Sequence, residues 1–265
     1  MAFPLLLFFW AMACTTVGIF LSKVWWMPPL ISVHGQAIDN ELVLSLIAAG
    51  TVFFLAQIGL GLFIWKFRGR RGGRASNWHE NSKLEATWTI ATAVLFIGLA
   101  IQGNRVWAGY FEDETPPDAL TIEVTAQQFT WNMRYPGPDG QFGRTDPKLI
   151  NDSIGEFLGI DPNDPAGKDD IMTQNLMAVP VNRPIRVYLR TKDVTHSFFI
   201  PQMRIKQDTL PGMLMSVHFT ATKTGEYEIA CAELCGMQHY KMRARLLVME
   251  QGDYDNWLRE RAARQ

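Results

Sequence analysis

The residues 231–242, CAELCGMQHYKM, hold four side chains that commonly bind transition metals. They are two thiols, an imidazole and a thioether, from Cys231, Cys235, His239 and Met242. Cysteines outside the cytoplasm usually form disulfides, whereas clustered thiolates, imidazoles and thioethers bind zinc or copper. The segment therefore predicts a disulfide, a zinc site or a copper site.

The spacing of these residues favours copper. A disulfide across C-x3-C closes a very small loop, so it gains little entropy in the chain model. Structural zinc commonly uses a tighter C-x2-C pair, and a thioether such as that of Met242 is a poor zinc ligand but a good copper ligand. A mononuclear blue-copper site takes one cysteine, so this segment has one too many.

A second histidine that could complete a copper site is His196, in the stretch DVTHSFFIP. A cupredoxin sandwich takes one histidine from an earlier strand and its other ligands from the loop between the last two strands. Two thiolates and two imidazoles can hold two copper ions with the sulfurs bridging. Such a core shares one unpaired electron over both metals, which suits rapid electron transfer better than substrate chemistry.

The first part of the chain predicts membrane helices, because a spanning helix needs about 20 mostly apolar residues. Three windows qualify: one from about Phe3, one ending at Trp65 and one from about Ala86. The first, within residues 1–27, also resembles an uncleaved signal-like segment, but it lacks a basic start. We therefore expect two or three transmembrane helices, with the last two forming a hairpin over residues 43–110.

The basic side chains set the expected orientation. The loop 66–84 between the last two windows carries Lys66, Arg68, Arg70, Arg71, Arg74 and Lys83, so the positive-inside rule places it in the cytoplasm. The link 28–42 and everything from residue 111 onward are then outside, as in a multi-pass protein of a bacterial cytoplasmic membrane. A formal net charge of −1 argues against a nucleic-acid partner.

The outer part, residues 111–252, predicts an extracytoplasmic β-domain followed by a tail over 253–265. Runs such as LTIEVTAQ and RARLLVME alternate with turn formers such as PGPDG, which is typical of a cupredoxin-like Greek-key β-sandwich or barrel. The stretch 137–175 is rich in proline, glycine and aspartate and reads as an acidic insertion. It is either a solvated loop or a docking face for a basic partner, with Asp161, Asp164 and Asp169 as candidate contacts.

At this point the sequence resembles a known family. CAELCGMQHYKM matches the CuA signature C-x-E-x-C-x3-H-x2-M, and HSFFIP and KQDTLPG precede it. The chain resembles subunit II of the haem–copper cytochrome c oxidases. The resemblance implies an aa3/caa3-type terminal oxidase whose subunit II takes electrons from cytochrome c, or from a haem c domain of another subunit, and passes them to haem in subunit I. There oxygen becomes water and protons are translocated. Subunit III and membrane lipid are further partners, and the chain alone is not active.

The resemblance also assigns roles to individual residues. Cys231 and Cys235 match the thiolates that bridge the two copper ions of CuA, and His196 and His239 match the imidazole ligands. Met242 matches the weak axial ligand on one copper. Glu233 matches the residue whose backbone carbonyl is the axial ligand on the other and whose carboxylate reaches a Mg²⁺ ion shared with subunit I.

Four further positions follow from the same resemblance. Asp208, in KQDTLPG, supports the subunit interface, and Glu85, in LEATWT, lies near the mouth of a proton-uptake path. Phe129 occupies the position through which electrons enter, where the family usually has tryptophan, and Trp131 matches a later tryptophan. The chain has no C-x2-C-H motif, so we expect it to bind no haem.

Two other functions fit parts of this pattern. A nitric oxide reductase could carry the same copper domain beside a different catalytic subunit. A membrane-anchored copper carrier or assembly protein would bind one exchangeable Cu(I), but the positions of Glu233 and Glu85 would then be unexplained. A quinol oxidase subunit is disfavoured, because that branch lacks the copper ligands.

Overall fold

The computed structural model describes residues 2–24, 26–69, 73–74, 80–111 and 116–264. The chain divides into two compact units. One comprises Met1–Met27 and Ala37–Tyr110, and the other comprises Pro28–Gln36 and Phe111–Gln265. The first unit is helical and the second is mainly β-structure.

The helical unit contains three helices that are long and apolar enough to cross a membrane: α1 (Ala2–Ser22), α2 (Gly35–Lys66) and α3 (Ser82–Phe111). The sequence predicts two or three spans, and the described residues contain three such helices. Most of their side chains are exposed, as expected for helices whose surroundings are lipid. Trp10 of α1 donates its Nε1 hydrogen to the carbonyl of Ile58 in α2, so these two helices pack together.

One boundary near these helices differs from the sequence-based prediction. Helix α2 begins at Gly35, inside the stretch predicted as a link, and Ser32 Oγ accepts a hydrogen bond from the Gly35 amide. The first turn of α2 is polar, so its start could not be recognised from an apolar window. Part of the predicted basic loop, including Arg70 and Arg71, lies outside the described residues.

The second unit is a sandwich of two five-stranded sheets, which confirms the expected fold class. One sheet has the order β3-β2-β1-β5-β8 and the other has the order β4-β10-β9-β6-β7. Their strands are β1 (Leu120–Gln127), β2 (Thr130–Tyr135), β3 (Ile171–Gln174), β4 (Leu176–Pro180), β5 (Pro184–Thr191), β6 (His196–Ile200), β7 (Ile205–Thr209), β8 (Met215–Thr220), β9 (Gly225–Cys231) and β10 (Arg243–Met249).

The core of the sandwich follows from the two-residue alternation of its strands. Every second side chain of β1 and β5 is fully buried, including Ile122, Val124 and Val187. The large rings of Trp131 in β2 and Phe198 in β6 pack edge to face between the sheets, with their centroids 5.7 Å apart. This aromatic contact lies at the end of the core from which the candidate metal ligands project.

The segment between β2 and β3 is the acidic insertion, and Arg134 of β2 anchors it. The Arg134 guanidinium donates to Asp170 Oδ2 through Nε at 2.9 Å and Nη2 at 2.6 Å, and it also bonds the Gly143 carbonyl. Glu123 of β1 accepts from Nη1 of the same arginine at 3.1 Å. The predicted range 137–175 extends too far, because Ile171 already begins strand β3, paired with β2.

The predicted C-terminal tail is instead a helix, α4 (Gln251–Ala262). Tyr254 and Trp257 lie on one face of this helix, and the Trp257 ring packs against Tyr135 of β2 with centroids 5.4 Å apart. Because this helix is short, its sequence lacks the longer apolar repeat that predicts a packed helix.

We predict that Asp170→Asn lowers the free energy of unfolding of the outer domain by about 3–5 kcal/mol, because it leaves a buried guanidinium without its main counter-ion. The measurement is thermal unfolding of the full chain in detergent, followed by near-UV circular dichroism. The matched control is Glu226→Gln, which breaks an exposed pair with Arg245 and should change little. Equal effects of the two substitutions would contradict the anchoring role.

Candidate metal centre

The pairing of strands β6 and β9 brings the two halves of the candidate site together. Phe198 of β6 is opposite Cys231 of β9, and the Ala232 amide donates to the Ser197 carbonyl at 3.1 Å. Residues two positions apart on a strand share a face, so His196 and Phe198 both project toward the side of Cys231. His196, at the start of β6, therefore reaches the end of β9.

The loop between β9 and β10 folds back so that its two ends meet. The Cys231 amide donates to the Met242 carbonyl at 3.1 Å, and a short 3₁₀ turn, His239–Lys241, lies between the two ends. Cys235 and Met242 are buried by this folding, and His239 is partly buried. The four soft side chains of the loop consequently face one point.

The two thiols are free and lie side by side, with their Sγ atoms 3.8 Å apart. His196 Nδ1 is 3.9 Å from Cys231 Sγ, and His239 Nδ1 is 3.6 Å from Cys235 Sγ. Met242 Sδ is 3.8 Å from Cys235 Sγ, and the Glu233 carbonyl oxygen is 3.2 Å from Cys231 Sγ. An imidazole nitrogen thus lies beside each sulfur.

Asp193 orients the ring of His196. Its Oδ1 atom is 2.8 Å from His196 Nε2. Burial opposes ionisation of Asp193, but hydrogen bonds from the Gln128 amide and from His196 outweigh it and hold the pKa of the carboxyl below its usual value. An ionised carboxylate can only accept, so Nε2 carries a hydrogen and donates it to Asp193. Nδ1 faces the thiols, the position from which a deprotonated ring nitrogen binds a metal ion.

The two thiols differ in acidity because their charges interact. Burial by itself raises the pKa of Cys231, but the hydrogen bond with His196 and nearby backbone groups lower it to about 6. Burial and the neighbouring Cys231 raise the pKa of Cys235 to about 12. The first proton is therefore lost from the pair more easily than the second, and a bound cation would compensate the second negative charge.

The donor set fits copper. The thiolates, imidazoles and thioether are the soft and borderline ligands that copper prefers, and all of them except the partly buried His239 are turned away from water. His196, Cys231 and Cys235 offer ligand atoms that all lie within 4.8 Å of one another.

The tip of the β1–β2 hairpin covers the loop that carries the ligands. Gln128 Nε2 donates to the Cys235 carbonyl at 2.6 Å. Gly236 has a φ of +136°, and a Cβ atom there would lie 2.9 Å from Gln128 Nε2 and 3.0 Å from the Phe129 ring. Glycine is therefore required at this position by both its backbone conformation and the close approach of the hairpin.

The other residues that the sequence predicted to be functional lie on several different elements of the structure. Trp131 is fully buried, and its ring centroid is 6.2 Å from that of His196, whereas Phe129 is partly exposed at the hairpin tip. Asp208 lies on β7, opposite Ser197, and accepts from Lys206 Nζ. Glu85 belongs to the first turn of α3 in the helical unit.

The three acidic residues of the insertion contact their own loop. Arg144 Nη2 lies 3.1 Å from Asp161 Oδ2, and Arg144 Nε lies 3.3 Å from Asp164 Oδ2. Asp169 accepts from the Asp139 amide at 3.3 Å. These carboxylates therefore stabilise turns of the insertion, and the structure does not bring them to the metal ligands.

Asp193 and Gln128 are the functional residues that the sequence analysis missed. Asp193 precedes His196 by three positions, and a carboxylate beside a metal-binding histidine is a common arrangement that could have indicated it. Gln128 gave no comparable signal, because its partner is a backbone carbonyl far away in sequence.

Comparison with known proteins identifies related chains. A family model described as cytochrome c oxidase subunit II, periplasmic domain, matches residues 120–249. The alternative cytochrome c oxidase subunit 2 of Bradyrhizobium diazoefficiens is 33% identical over 241 residues, which cover 91% of this chain and 85% of that protein. Cytochrome c oxidase subunit 2 of Cereibacter sphaeroides is 28% identical over 237 residues, covering 82% and 73% respectively.

A related solved structure is the crystal structure of the periplasmic domain of subunit II of cytochrome oxidase from Bradyrhizobium japonicum. It is 32% identical and covers 57% of this chain and 99% of its own, with a TM-score of 0.42.

We predict that Gly236→Ala destabilises the metal-free outer domain by roughly 1–3 kcal/mol, since alanine is strained at this positive φ and its methyl group displaces the hairpin tip. Thermal unfolding of the copper-free full chain measures the effect. Gly252→Ala is the control, because Gly252 lies in α4 with no atom within 4 Å of an added Cβ. Indistinguishable stabilities would show that the hairpin does not press on this loop.

Proposed function

Because the chain belongs to the cytochrome c oxidase subunit II family, we propose that it is the electron-accepting subunit of an aa3/caa3-type terminal oxidase and holds a binuclear CuA centre. As a member of that family it is a subunit of an oxidoreductase complex and carries a copper-binding domain anchored by apolar helices. The observation that carries the proposal is the pair of unbonded thiols, 3.8 Å apart, with an imidazole beside each.

Each ligand has a distinct role in this proposal. Cys231 and Cys235 would hold the copper through their thiolates, His196 and His239 through their ring nitrogens, and Met242 and the Glu233 carbonyl would be weaker ligands. When bound, the copper pair supplies a one-electron carrier whose charge is shared over both ions. The burial of the ligands favours a permanent centre over a site for exchangeable Cu(I), which would need an accessible ligand set.

The protein around the ligands limits their movement when the charge on the centre changes. The Asp193 carboxylate fixes the ring plane of His196, and the Cys231–Met242 backbone hydrogen bond fixes the two ends of the loop. Ligands that are already held in place need little rearrangement, so the barrier to electron transfer stays low.

Electrons enter, in this proposal, at the hairpin tip. Phe129 is partly exposed, and its ring lies against Gly236, the residue that follows the ligand Cys235. A phenyl ring can pack against the edge of a donor haem, although it is harder to oxidise than an indole. Trp131 fills the space behind His196 and fixes the other side of the centre.

The proposed partners follow from the family. Subunits I and III adjoin this chain, cytochrome c or a haem c domain of another subunit donates electrons, and the haem of subunit I receives them. The Glu233 carboxylate reaches a Mg²⁺ ion shared with subunit I, and Asp208 supports that interface. Glu85 lies near the mouth of a proton path on the cytoplasmic side of a bacterial membrane, with the copper domain outside.

We expect the purified full chain, reconstituted with copper in detergent, to bind two copper ions and to show an electron paramagnetic resonance signal from one electron shared by both. Cys235→Ser removes a bridging thiolate, so its signal should be that of a localised Cu(II) ion. Cys14→Ser is the control, because this exposed cysteine lies in α1 and should leave the signal unchanged. A single exchangeable copper in the unaltered chain would refute the proposal.

The acidic insertion is the proposed landing site for a basic donor. The Arg144 amide helps to hold the pKa of Asp164 below its usual value, so this carboxyl stays ionised at neutral pH. We expect Asp161→Asn to slow electron uptake by about two- to fivefold at low ionic strength, and the difference to vanish at high salt.

Arg144→Gln is the matched variant for that experiment. It breaks the same ion pair but makes the insertion more negative, so electrostatic docking predicts a faster rate at low salt. If both substitutions slow the rate equally at every salt concentration, the pair only stabilises the loop and docking occurs elsewhere.

A further inference from the structure

The hairpin tip makes a direct hydrogen bond to a backbone atom of a copper ligand. Gln128 is exposed to solvent as a residue, but its Nε2 atom lies 2.6 Å from the Cys235 carbonyl oxygen. An exposed glutamine loses side-chain entropy when it is fixed, so a short contact of this kind indicates a specific partner rather than a chance approach.

The same residue also reaches the other side of the centre through its backbone. The Gln128 amide donates to Asp193 Oδ2 at 2.7 Å, while Asp193 Oδ1 is bonded to His196 Nε2. Gln128 is therefore joined to Cys235 by its side chain and to His196 through one carboxylate. These two ligands come from different parts of the chain, the β9–β10 loop and the start of β6.

A hydrogen bond to the Cys235 carbonyl can restrain the direction of the Cys235 side chain. The peptide that carries it joins Cys235 to Gly236, and rotation of this peptide changes the direction in which the Cys235 side chain leaves the backbone. Gly236 has a φ of +136° and no side chain, so it offers little resistance to such a rotation. A hydrogen bond to the carbonyl oxygen restrains the peptide plane and hence the position of Sγ.

We propose that Gln128 is a positioning residue for the copper centre, because its carboxamide donates to the Cys235 carbonyl and fixes the direction of that thiolate. The inference rests on the proposed two-copper function of the site. It concerns the carboxamide hydrogen alone, since the amide contact with Asp193 is made by the backbone and survives any side-chain replacement.

The test uses two replacements of similar size in the full chain, loaded with copper in detergent at pH 8. Gln128→Met removes the polar group, and Gln128→Glu keeps the shape but leaves an ionised group that cannot donate. Gln238→Met is the matched control, because Gln238 lies in the same loop and its side chain caps no helix. Folding of each variant is checked by circular dichroism.

Two readouts separate positioning from general stability: the paramagnetic resonance and visible spectra of the centre, and the rate at which a chelator removes its copper. Both Gln128 variants should shift the spectra and speed copper release by about two- to tenfold, the effect of one lost hydrogen bond. Gln238→Met should match the unaltered chain in both.

Three results would overturn the inference. Spectra and release rates that match the unaltered chain in both Gln128 variants would show that the hydrogen bond does not set the geometry. A normal Gln128→Glu variant beside an altered Gln128→Met variant would show that donation is not required. An unaltered chain without the shared two-copper signal would overturn the proposed function itself, and this inference with it.

Discussion

The copper-binding geometry depends on one strand pairing, that of β6 with β9. The register that sets Phe198 opposite Cys231 is extended by the hydrogen bond from the Ala232 amide to the Ser197 carbonyl. A slip of one residue would turn His196 to the other face of the sheet, because side chains alternate along a strand. The buried contacts of Phe198 and Trp131 make such a slip costly, so the hydrophobic core determines which histidine meets the cysteines.

The loop that supplies the other ligands separates its soft side chains from its apolar ones. Cys235 and Met242 are buried, whereas Leu234, Met237 and Tyr240 are 78%, 93% and 67% exposed. Large apolar side chains that point into solvent normally destabilise a loop. This loop keeps its conformation because hydrogen bonds hold its two ends and the Cys235 carbonyl. The ligand arrangement therefore derives from the backbone and the neighbouring hairpin more than from packing inside the loop.

The sequence predicted those features that depend on local pattern. Three apolar windows indicated the helices, and alternation indicated most strands. The spacing of cysteine, histidine and methionine indicated a cluster of metal-binding side chains, which the fold does bring together. The sequence failed where the structure depends on distant partners. Strands β3, β4 and β7 are short, and their positions are set by pairing with β2, β10 and β6. Helix α4 packs on the domain because Trp257, which stacks on Tyr254, contacts Tyr135. The contact of Gln128 with Cys235 joins residues more than a hundred positions apart.

The acidic insertion shows why local pairing and long-range charge must be considered separately. Residues 137–175 contain eight carboxylates and three cationic side chains, a formal charge of minus five. Arg134 and Lys192, from outside this range, pair with Asp170 and Asp152 and reduce the charge of the cluster to minus three. An ion pair within the insertion orders its turns but leaves this sum unchanged. A donor that is within a Debye length of roughly 10 Å, but farther away than the separation of the paired charges, responds to the sum and not to the individual pairs. The carboxylates that stabilise the insertion can therefore still attract a basic protein toward this domain.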